Sequence, residues 1–184
     1  MSRPQAPFSA QLIVSVLSSR LVQIWPDAAR ELESRWGPLD YVSEPFPFTQ
    51  TRYYDQELGT PIMRRVVAFE QLQAQDRLPE IKLGTNALED EWRDGEGRRK
   101  LNLDPGLVCL ERLVLATGKN FTHRIYLGQG IFADLTLVYQ KGGWQVLPWT
   151  FPDYAGGQVQ DVLTRIRSRY KQKLRRMQDE QPMD

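Results

Sequence analysis

The feature that most constrains the fold is a glycine-rich break between two runs of alternating apolar and polar residues. Residues 122–127 and 131–139 alternate in this way, and they flank Gly128-Gln129-Gly130. This spacing predicts a β-hairpin with a three-residue loop in which Gly130 has a positive φ. Gly142-Gly143 predicts a second turn of two residues, with Tyr139 opposite Val146, so we expect a three-stranded meander.

The alternation also predicts which side chains share a face of the meander. Pairing Arg124 with Asp134, and Leu127 with Ile131, brings the apolar residues together, and it places His123 on their side. The predicted core face comprises Ile125, Leu127, Ile131, Ala133, Leu135, Leu137, Tyr139 and Val146. The opposite face is polar and aromatic and comprises Arg124, Tyr126, Phe132, Asp134, Thr136, Val138 and Trp149.

Composition removes several classes of protein. One cysteine, Cys109, and one histidine, His123, exclude an internal disulfide and a zinc site built from the usual ligands, so we expect no metal. The 184 residues suit a single domain, with a loose arm over 1–10 and an acidic tail over 178–184. The apolar stretch 12–17 is far shorter than the roughly 20 residues of a membrane-spanning helix. We therefore expect a cytoplasmic protein with no membrane partner.

Strands and helices are predicted to alternate in the first half of the chain. Apolar runs predict strands over 11–17, 39–43 and 62–69. Helices are predicted over 26–36, with Pro26 in the first turn, and over 78–92. Together with the meander and a final helix, this order predicts an α+β fold with a mostly antiparallel sheet and a ferredoxin-like βαββα start. Residues 107–117 fit either a strand, which we favour slightly, or a helix.

Polar side chains in three places are candidates for a ligand site. Charged groups beside aromatic rings can orient a bound molecule, which makes the polar face of the meander the first candidate. The second candidate is the carboxylate of Asp104, which precedes Pro105-Gly106. The third candidate is the set of polar residues near the start of the second helix, where free N–H groups attract phosphate. The ligand-binding candidates are Arg124, Tyr126, Asp134, Thr136, Asn102, Asp104, Lys82 and Asn86.

Each candidate also has a structural interpretation. Arg124 and Asp134 would form a cross-strand ion pair under a covering helix. Asp104 would be a turn residue that accepts backbone hydrogen bonds, and Lys82 would lie on a solvated helix face. Glu57 and Asp55 could form an acid–base pair, although no spacing rule specifies a reaction for them.

The carboxyl-terminal segment from Val162 to Met177 carries seven basic residues and no acidic one. Val162, Ile166, Tyr170 and Leu174 recur every four residues, which predicts an amphipathic helix. The favoured interpretation is a helix that docks its apolar stripe and leaves its basic face in solvent. The alternative is a module that binds RNA, another polyanion or a protein partner. The polyanion-binding candidates are Arg165, Arg169, Lys173 and Arg176.

Familiar catalytic motifs do not occur in the sequence. Thr117-Gly118-Lys119-Asn120 lacks the upstream glycine and the Ser or Thr of a phosphate-binding P-loop. No G-x-G-x-x-G or G-x-S-x-G string occurs either. Enzymatic activity, cofactor and oligomeric state therefore stay open, and a nucleotide hydrolase would lack its usual machinery.

Several strings stand out, in one order, along nearly the whole chain. They are residues 13–19 (IVSVLSS), 44–48 (EPFPF), Tyr53-Tyr54 followed by Glu57 and Gly59, 81–86 (IKLGTN), 102–106 (NLDPG), 113–117 (LVLAT), 123–127 (HRIYL), 130–137 (GIFADLTL) and 148–154 (PWTFPDY). Together they resemble a bacterial family, Domain of Unknown Function 4416. The resemblance implies a compact domain without an established activity, and it transfers no catalytic residues.

These observations lead to two functional hypotheses. The first is a cytoplasmic binder of an anionic or phosphorylated small molecule on the polar face of the meander, near Arg124 and Asp104. The second is an interaction module that uses the basic helix, with nucleic acid as the less favoured partner.

Overall fold

A computed structural model describes residues 3–179, which form one nine-stranded antiparallel sheet with helices on both faces. The strands are β1 (Ala10–Ser18), β2 (Leu39–Val42), β3 (Phe46–Pro47), β4 (Met63–Gln73), β5 (Asn102–Val108), β6 (Arg112–Thr117), β7 (Arg124–Gly128), β8 (Ile131–Gln140) and β9 (Gly143–Val146). The helices are α1 (Leu21–Trp36), α2 (Asp55–Leu58), α3 (Leu78–Glu91), α4 (Pro152–Ala155) and α5 (Gly157–Asp179). Most of the predicted acidic tail lies outside the described residues.

The strand order across the sheet is β2-β4-β1-β5-β6-β8-β7, with β3 beside β4 and β9 beside β8. This confirms the α+β class and the mostly antiparallel sheet. The order β2-β4-β1-β5 is compatible with a ferredoxin-like start, but β3 and α2 interrupt that start, so the comparison extends only to the order of four strands. Within residues 3–179, none of the helices combines the length and apolar composition that a membrane crossing requires.

Helices α1 and α3 cover one face of the sheet over β4, β1 and β5. Ala28, Leu32 and Trp36 recur every four residues on α1 and are buried there. The predicted start of α1 at Pro26 is wrong, because the helix begins at Leu21 and includes the proline. A proline lacks one N–H, so its presence costs α1 a single backbone hydrogen bond near the amino end.

Helix α5 covers the other face. Its buried stripe includes Ile166, Tyr170 and Leu174, as the four-residue spacing predicts. The prediction is wrong for Val162, which is only half-buried, and the neighbouring Leu163 is buried instead. The stripe meets apolar side chains of the strands beneath it, which include Ile13, Val66, Val108, Leu113 and Leu137.

Residues 107–117 comprise the end of β5, a short connection over 109–111, and β6, and Asp104-Pro105-Gly106 lies inside β5 rather than in a turn. The predicted turn is therefore wrong. A Cβ at Gly106 would lie 2.8 Å from the backbone oxygen of Val114. The two strands therefore approach each other so closely at this point that only glycine fits. Pro105 is tolerated because β6 pairs with β5 only from Gly106 onward, and the missing N–H costs no strand-to-strand bond.

The predicted hairpin between β7 and β8 is present, with Arg124 opposite Asp134. Its loop has two residues rather than three: Gln129 and Gly130 both have positive φ, at 54° and 76°. Gly128 pairs with Ile131, so the predicted pairing of Leu127 with Ile131 is wrong. Gly128 also has a positive φ, of 112°, and the register shifts between Tyr126 and Gly128, so a bulge in β7 accommodates the shorter loop.

The second turn lies one residue earlier than predicted. Lys141 and Gly142 occupy it, with φ of 52° and 83°, and Tyr139 pairs with Trp144 instead of Val146. The sequence Gly142-Gly143 is ambiguous because either glycine could take the second turn position. Lysine tolerates the left-handed conformation at the first position once the glycine follows it.

The predicted core face of the meander is only partly a core. Ile131 and Leu137 are buried, but Ile125, Leu127 and Val146 are exposed. Helices α1 and α3 pack mainly over the central strands, so the outer strands keep an open apolar face. The apolar groove on this face has a volume of about 560 Å³, and its lining includes Leu107, Cys109, Val114, Ile125, Leu127, Ala133 and Leu135.

Candidate functional site

The charged residues of the meander are bonded to each other. Arg124 Nε donates to Asp134 Oδ2 at 2.8 Å, and the Arg124 side chain is only 9% exposed. Its Nη1 also donates to the carbonyl of Lys119 at 2.9 Å. Thr136 is buried and its hydroxyl donates to the Asp134 carbonyl at 3.1 Å. The ion pair that the structural interpretation predicts is therefore formed, and Tyr126 lies apart from it at the sheet edge.

His123 is on the polar side of the sheet, so its predicted place among the apolar residues is wrong. Its Nε2 lies 3.3 Å from Asp134 Oδ2, and its ring stacks on Trp149 with 5.1 Å between ring centres. The residue lies in a turn just before β7, where strand alternation does not hold. Asp134 is thus shared by His123 and Arg124.

Lys82 lies on the buried side of α3, where it completes the hydrogen bonding of β5. Lys82 Nζ donates to the Leu103 carbonyl at 3.0 Å, and the Leu103 N–H donates to Glu89 Oε1 at 2.6 Å. Two side chains of α3 thus replace a neighbouring strand at a point that β6 does not reach. The solvated helix face expected for Lys82 is wrong, because Lys82 is buried. Asn86, four residues after Lys82, is half-buried.

Arg99 joins the polar residues of three segments into one network. Its Nε and Nη2 each donate to Glu57 at 2.6 Å, and its Nη1 donates to Glu89 at 2.6 Å and to Asn102 at 3.0 Å. Asn102 in turn donates to Asp104 Oδ2 at 2.8 Å. Two predicted residues, Asn102 and Asp104, therefore belong to a network whose centre, Arg99, was not predicted.

The charged groups of this network shift each other's pKa values. The hydrogen bonds from Arg99 hold the pKa of Glu57 below its ordinary value, and they raise the pKa of Arg99 in return. Burial raises the pKa of Glu89, against the opposing influence of Lys82 and Arg99.

Next to the network, the structure has a cleft of about 340 Å³, which we call the basic cleft. Its walls come from the connection between β1 and α1, from α2, and from the loop before β5. Four cations and two carboxylates line it: Arg20, Arg98, Arg99, Lys100, Glu57 and Asp94. Arg98 and Arg99 are paired with Asp94 and Glu57. Among residues 3–179, neither Arg20 nor Lys100 has a carboxylate within 4.0 Å.

A second polar cluster is buried under α4. Arg64 is bonded to Asp153, and its guanidinium carbon lies 4.8 Å from the Phe48 ring centre and 5.0 Å from that of Tyr154. Burial raises the pKa of Tyr154, and the charge of Asp104 adds to this. Within the described chain, the Ser15 hydroxyl, Arg64 Nε and the Tyr154 hydroxyl make no hydrogen bond. Asp104 thus acts electrostatically on this cluster while it is hydrogen-bonded to Asn102.

Half of the candidate residues on α5 dock the helix. Lys173 Nζ donates to the carbonyls of Phe69 and Glu70, and it pairs with Asp40 at 2.8 Å. Arg169 donates to the Asp40 carbonyl at 2.8 Å. Two further candidates are exposed and have no carboxylate partner within residues 3–179, namely Arg165 and Arg176.

The protein belongs to the α+β class, and its nine-stranded antiparallel sheet carries a basic cleft and a covered ion pair of Arg124 and Asp134. The family model described as Domain of unknown function (DUF4416) matches residues 8–170, so the chain belongs to that family. No curated protein and no solved structure matches the chain. Five strings that carry the family resemblance contribute to the Arg99 network and to the cluster under α4, through Ser15, Phe48, Glu57, Asn102 and Asp153.

Proposed function

We propose that the protein binds an anionic small molecule, such as a phosphorylated metabolite, in the basic cleft. The observation that carries the proposal is the presence of two cations, Arg20 and Lys100, that line the cleft and have no carboxylate partner within residues 3–179. Ligand sites of small molecules typically have volumes from about 300 Å³ upward, and the 340 Å³ of the basic cleft falls within this range.

The amino terminus of α1 supports the same proposal. Arg20 immediately precedes this 16-residue helix, whose first turn contains no acidic residue. Free N–H groups and the helix dipole at such an end favour an anion. Two cations without a carboxylate partner in residues 3–179 and a helix terminus at one cleft form a suitable environment for a phosphate group.

We locate the proposed site at the basic cleft rather than at Arg124 because Arg124 is already paired and covered. Asn102 and Asp104 contribute to the proposed site only indirectly. They belong to the network of Arg99, which lines the cleft and hydrogen-bonds to Asn102. The proposal concerns binding alone. Chromatography of the ligand after incubation with the protein would show whether the protein also converts it. We further propose that the protein acts in the bacterial cytoplasm, which fractionation of expressing cells would test.

The test is a thermal-shift screen with inorganic phosphate, nucleotides and sugar phosphates. A ligand at about 100 times its Kd should stabilise the protein by about 2.7 kcal/mol, which corresponds to a rise in Tm of roughly 5–10 °C. The variants Arg20→Gln and Lys100→Gln should weaken binding at least about ten-fold each. Arg165→Gln is the control, because it removes an exposed cation that does not line the cleft.

Two results would contradict the proposal. One is a screen in which no phosphorylated compound raises the Tm. The other is a ligand whose effect survives in the double variant of Arg20 and Lys100. Arg124→Ala separates the two locations: it should lower the Tm of the free protein but leave the ligand-induced rise unchanged.

A further inference from the structure

The basic cleft is polar over almost its whole surface. Nine of the eleven residues that line it have polar or charged side chains, and the other two are Leu58 and Gly59. Pockets that bind small molecules are usually lined mainly by apolar and aromatic side chains, with only a few polar groups. The lining of the basic cleft therefore suits a ligand that itself carries many hydrogen-bonding groups.

Aromatic side chains do not contribute to the lining of the cleft within residues 3–179. Tyr53 and Tyr54 precede α2 directly, but they pack on each other with 4.9 Å between ring centres. Lys119 Nζ lies 4.8 Å from the ring centre of Tyr53, and Tyr54 packs against Phe48 as well. Proteins typically hold a nucleobase by stacking it on an aromatic ring. The described part of the cleft lacks this feature of a nucleotide site.

The charge of the cleft matches a single phosphate group. Four cations against two carboxylates leave a formal charge of +2 on its lining. A phosphate monoester carries about −1.5 to −2 at pH 7, which this charge neutralises. A diphosphate or triphosphate carries more negative charge than the lining can neutralise. The volume of about 340 Å³ is near the lower end of the roughly 300–1,000 Å³ of ligand pockets, which also favours a compact monophosphate.

The carboxylates of the cleft can accept hydrogen bonds from hydroxyl groups without repelling a phosphate. Each carboxylate oxygen of Glu57 accepts one hydrogen bond from Arg99, at 2.6 Å. A carboxylate has about four acceptor positions in total, so Glu57 keeps acceptor capacity for a ligand. Asp94 is paired with Arg98 in a similar way. The two arginines neutralise the charge of both carboxylates.

Two uncharged side chains of the lining are available for further hydrogen bonds. Gln56 of α2 and Thr60 are exposed, and neither side chain is hydrogen-bonded within residues 3–179. An amide group both donates and accepts hydrogen bonds, and so does a hydroxyl group. These groups match the hydroxyl groups of a sugar, each of which is also a donor and an acceptor.

We propose that the ligand of the basic cleft is the monophosphate of a sugar or of another polyol. This inference rests on the proposed function and adds the chemistry of the rest of the ligand. Arg20 and Lys100 bind the phosphate group. Glu57, Gln56 and Thr60 bind the hydroxyl groups. A site that hydrogen-bonds a hydroxyl group of its ligand discriminates strongly against an analogue that lacks this group.

Isothermal titration calorimetry with matched ligands tests the inference. Glycerol 3-phosphate and propyl phosphate carry the same phosphate group on a three-carbon chain, but only glycerol 3-phosphate has free hydroxyl groups. Glycerol 3-phosphate and glucose 6-phosphate should bind at least about ten-fold more tightly than propyl phosphate. Both should also bind more tightly than AMP, ATP and inorganic phosphate.

A double variant identifies the residues that recognise the hydroxyl groups. Gln56→Ala with Thr60→Val should weaken the binding of glucose 6-phosphate about ten-fold and leave the binding of propyl phosphate unchanged. Gln172→Ala is the control, because Gln172 is exposed on α5 and does not line the cleft. The Tm of each free variant would verify that it is folded, and the two single variants give the same comparison if the double variant is unstable.

The outcomes separate this inference from the proposed function. Tighter binding of AMP, ATP or inorganic phosphate than of the two polyol phosphates would overturn the inference and leave the proposed function intact. Equal affinity for glycerol 3-phosphate and propyl phosphate, or unchanged affinity of the double variant for glucose 6-phosphate, would also overturn it. A protein that binds none of these compounds would overturn both.

Discussion

Replacing Glu89 by alanine should destabilise the protein more than any exposed charge would suggest. The Leu103 N–H would lose its acceptor at 2.6 Å in a buried position, which costs about 1–3 kcal/mol. Arg99 would lose one of its two carboxylates but keep Glu57. The combined loss is about 3 kcal/mol, and for a chain of this size it lowers the Tm by roughly 6–12 °C.

Urea unfolding followed by circular dichroism would measure this loss. Glu89→Gln keeps an acceptor for the Leu103 N–H and should cost only about 1 kcal/mol. Asp90→Ala is the control, because Asp90 is exposed and, within residues 3–179, its side chain bonds only to Arg93, so its effect should stay within about 0.5 kcal/mol. If Glu89→Ala were as mild as Asp90→Ala, the view that α3 supplies the missing partner of β5 would be wrong.

Three further predictions follow from the structure. Gly106→Ala should destabilise the protein by about 3 kcal/mol in urea unfolding, because its Cβ would collide with the backbone of β6, whereas Gly118→Ala, with open space around it, should be nearly neutral. Because the folded protein lowers the pKa of Glu57, its contribution to stability is present above the ordinary value of 4.5 and is lost as the pH falls below it. Glu57→Gln should therefore make the free energy of unfolding less pH-dependent below about pH 5, and an unchanged slope would contradict this. Replacing Arg165 and Arg176 by glutamine should leave retention on immobilised RNA at low salt unchanged, and a clear loss of retention would favour the RNA-binding alternative over our interpretation of α5.

Local patterns were enough to predict most of the secondary structure. Apolar runs of strand length located β1, β2 and β4, and the glycine break located the hairpin of β7 and β8 with Arg124 opposite Asp134. The four-residue spacing on α5 predicted three of its buried residues. These features depend on neighbours a few residues apart, which a sequence displays directly.

The candidate network could not be predicted in the same way. Arg99 reaches Glu57 across 42 positions, and no local spacing indicates that contact. Glu89 stands in a charged run that is typical of a solvated helix face. It is buried only because β6 stops short of Leu103 and leaves a backbone group without a strand partner. The open groove was missed for a related reason, since alternation predicts an apolar face but not how far a helix extends over it.

The support that α3 gives to Leu103 has a mechanical consequence. Lys82 and Glu89 are two turns apart on one helix, and they bond to the carbonyl oxygen and the N–H of the same residue, Leu103. Leu103 lies directly between Asn102 and Asp104. A rotation or axial slide of α3 would therefore move the side chains of Asn102 and Asp104 together. Substitutions on the opposite side of α3 would then change the geometry of the polar network without contacting it.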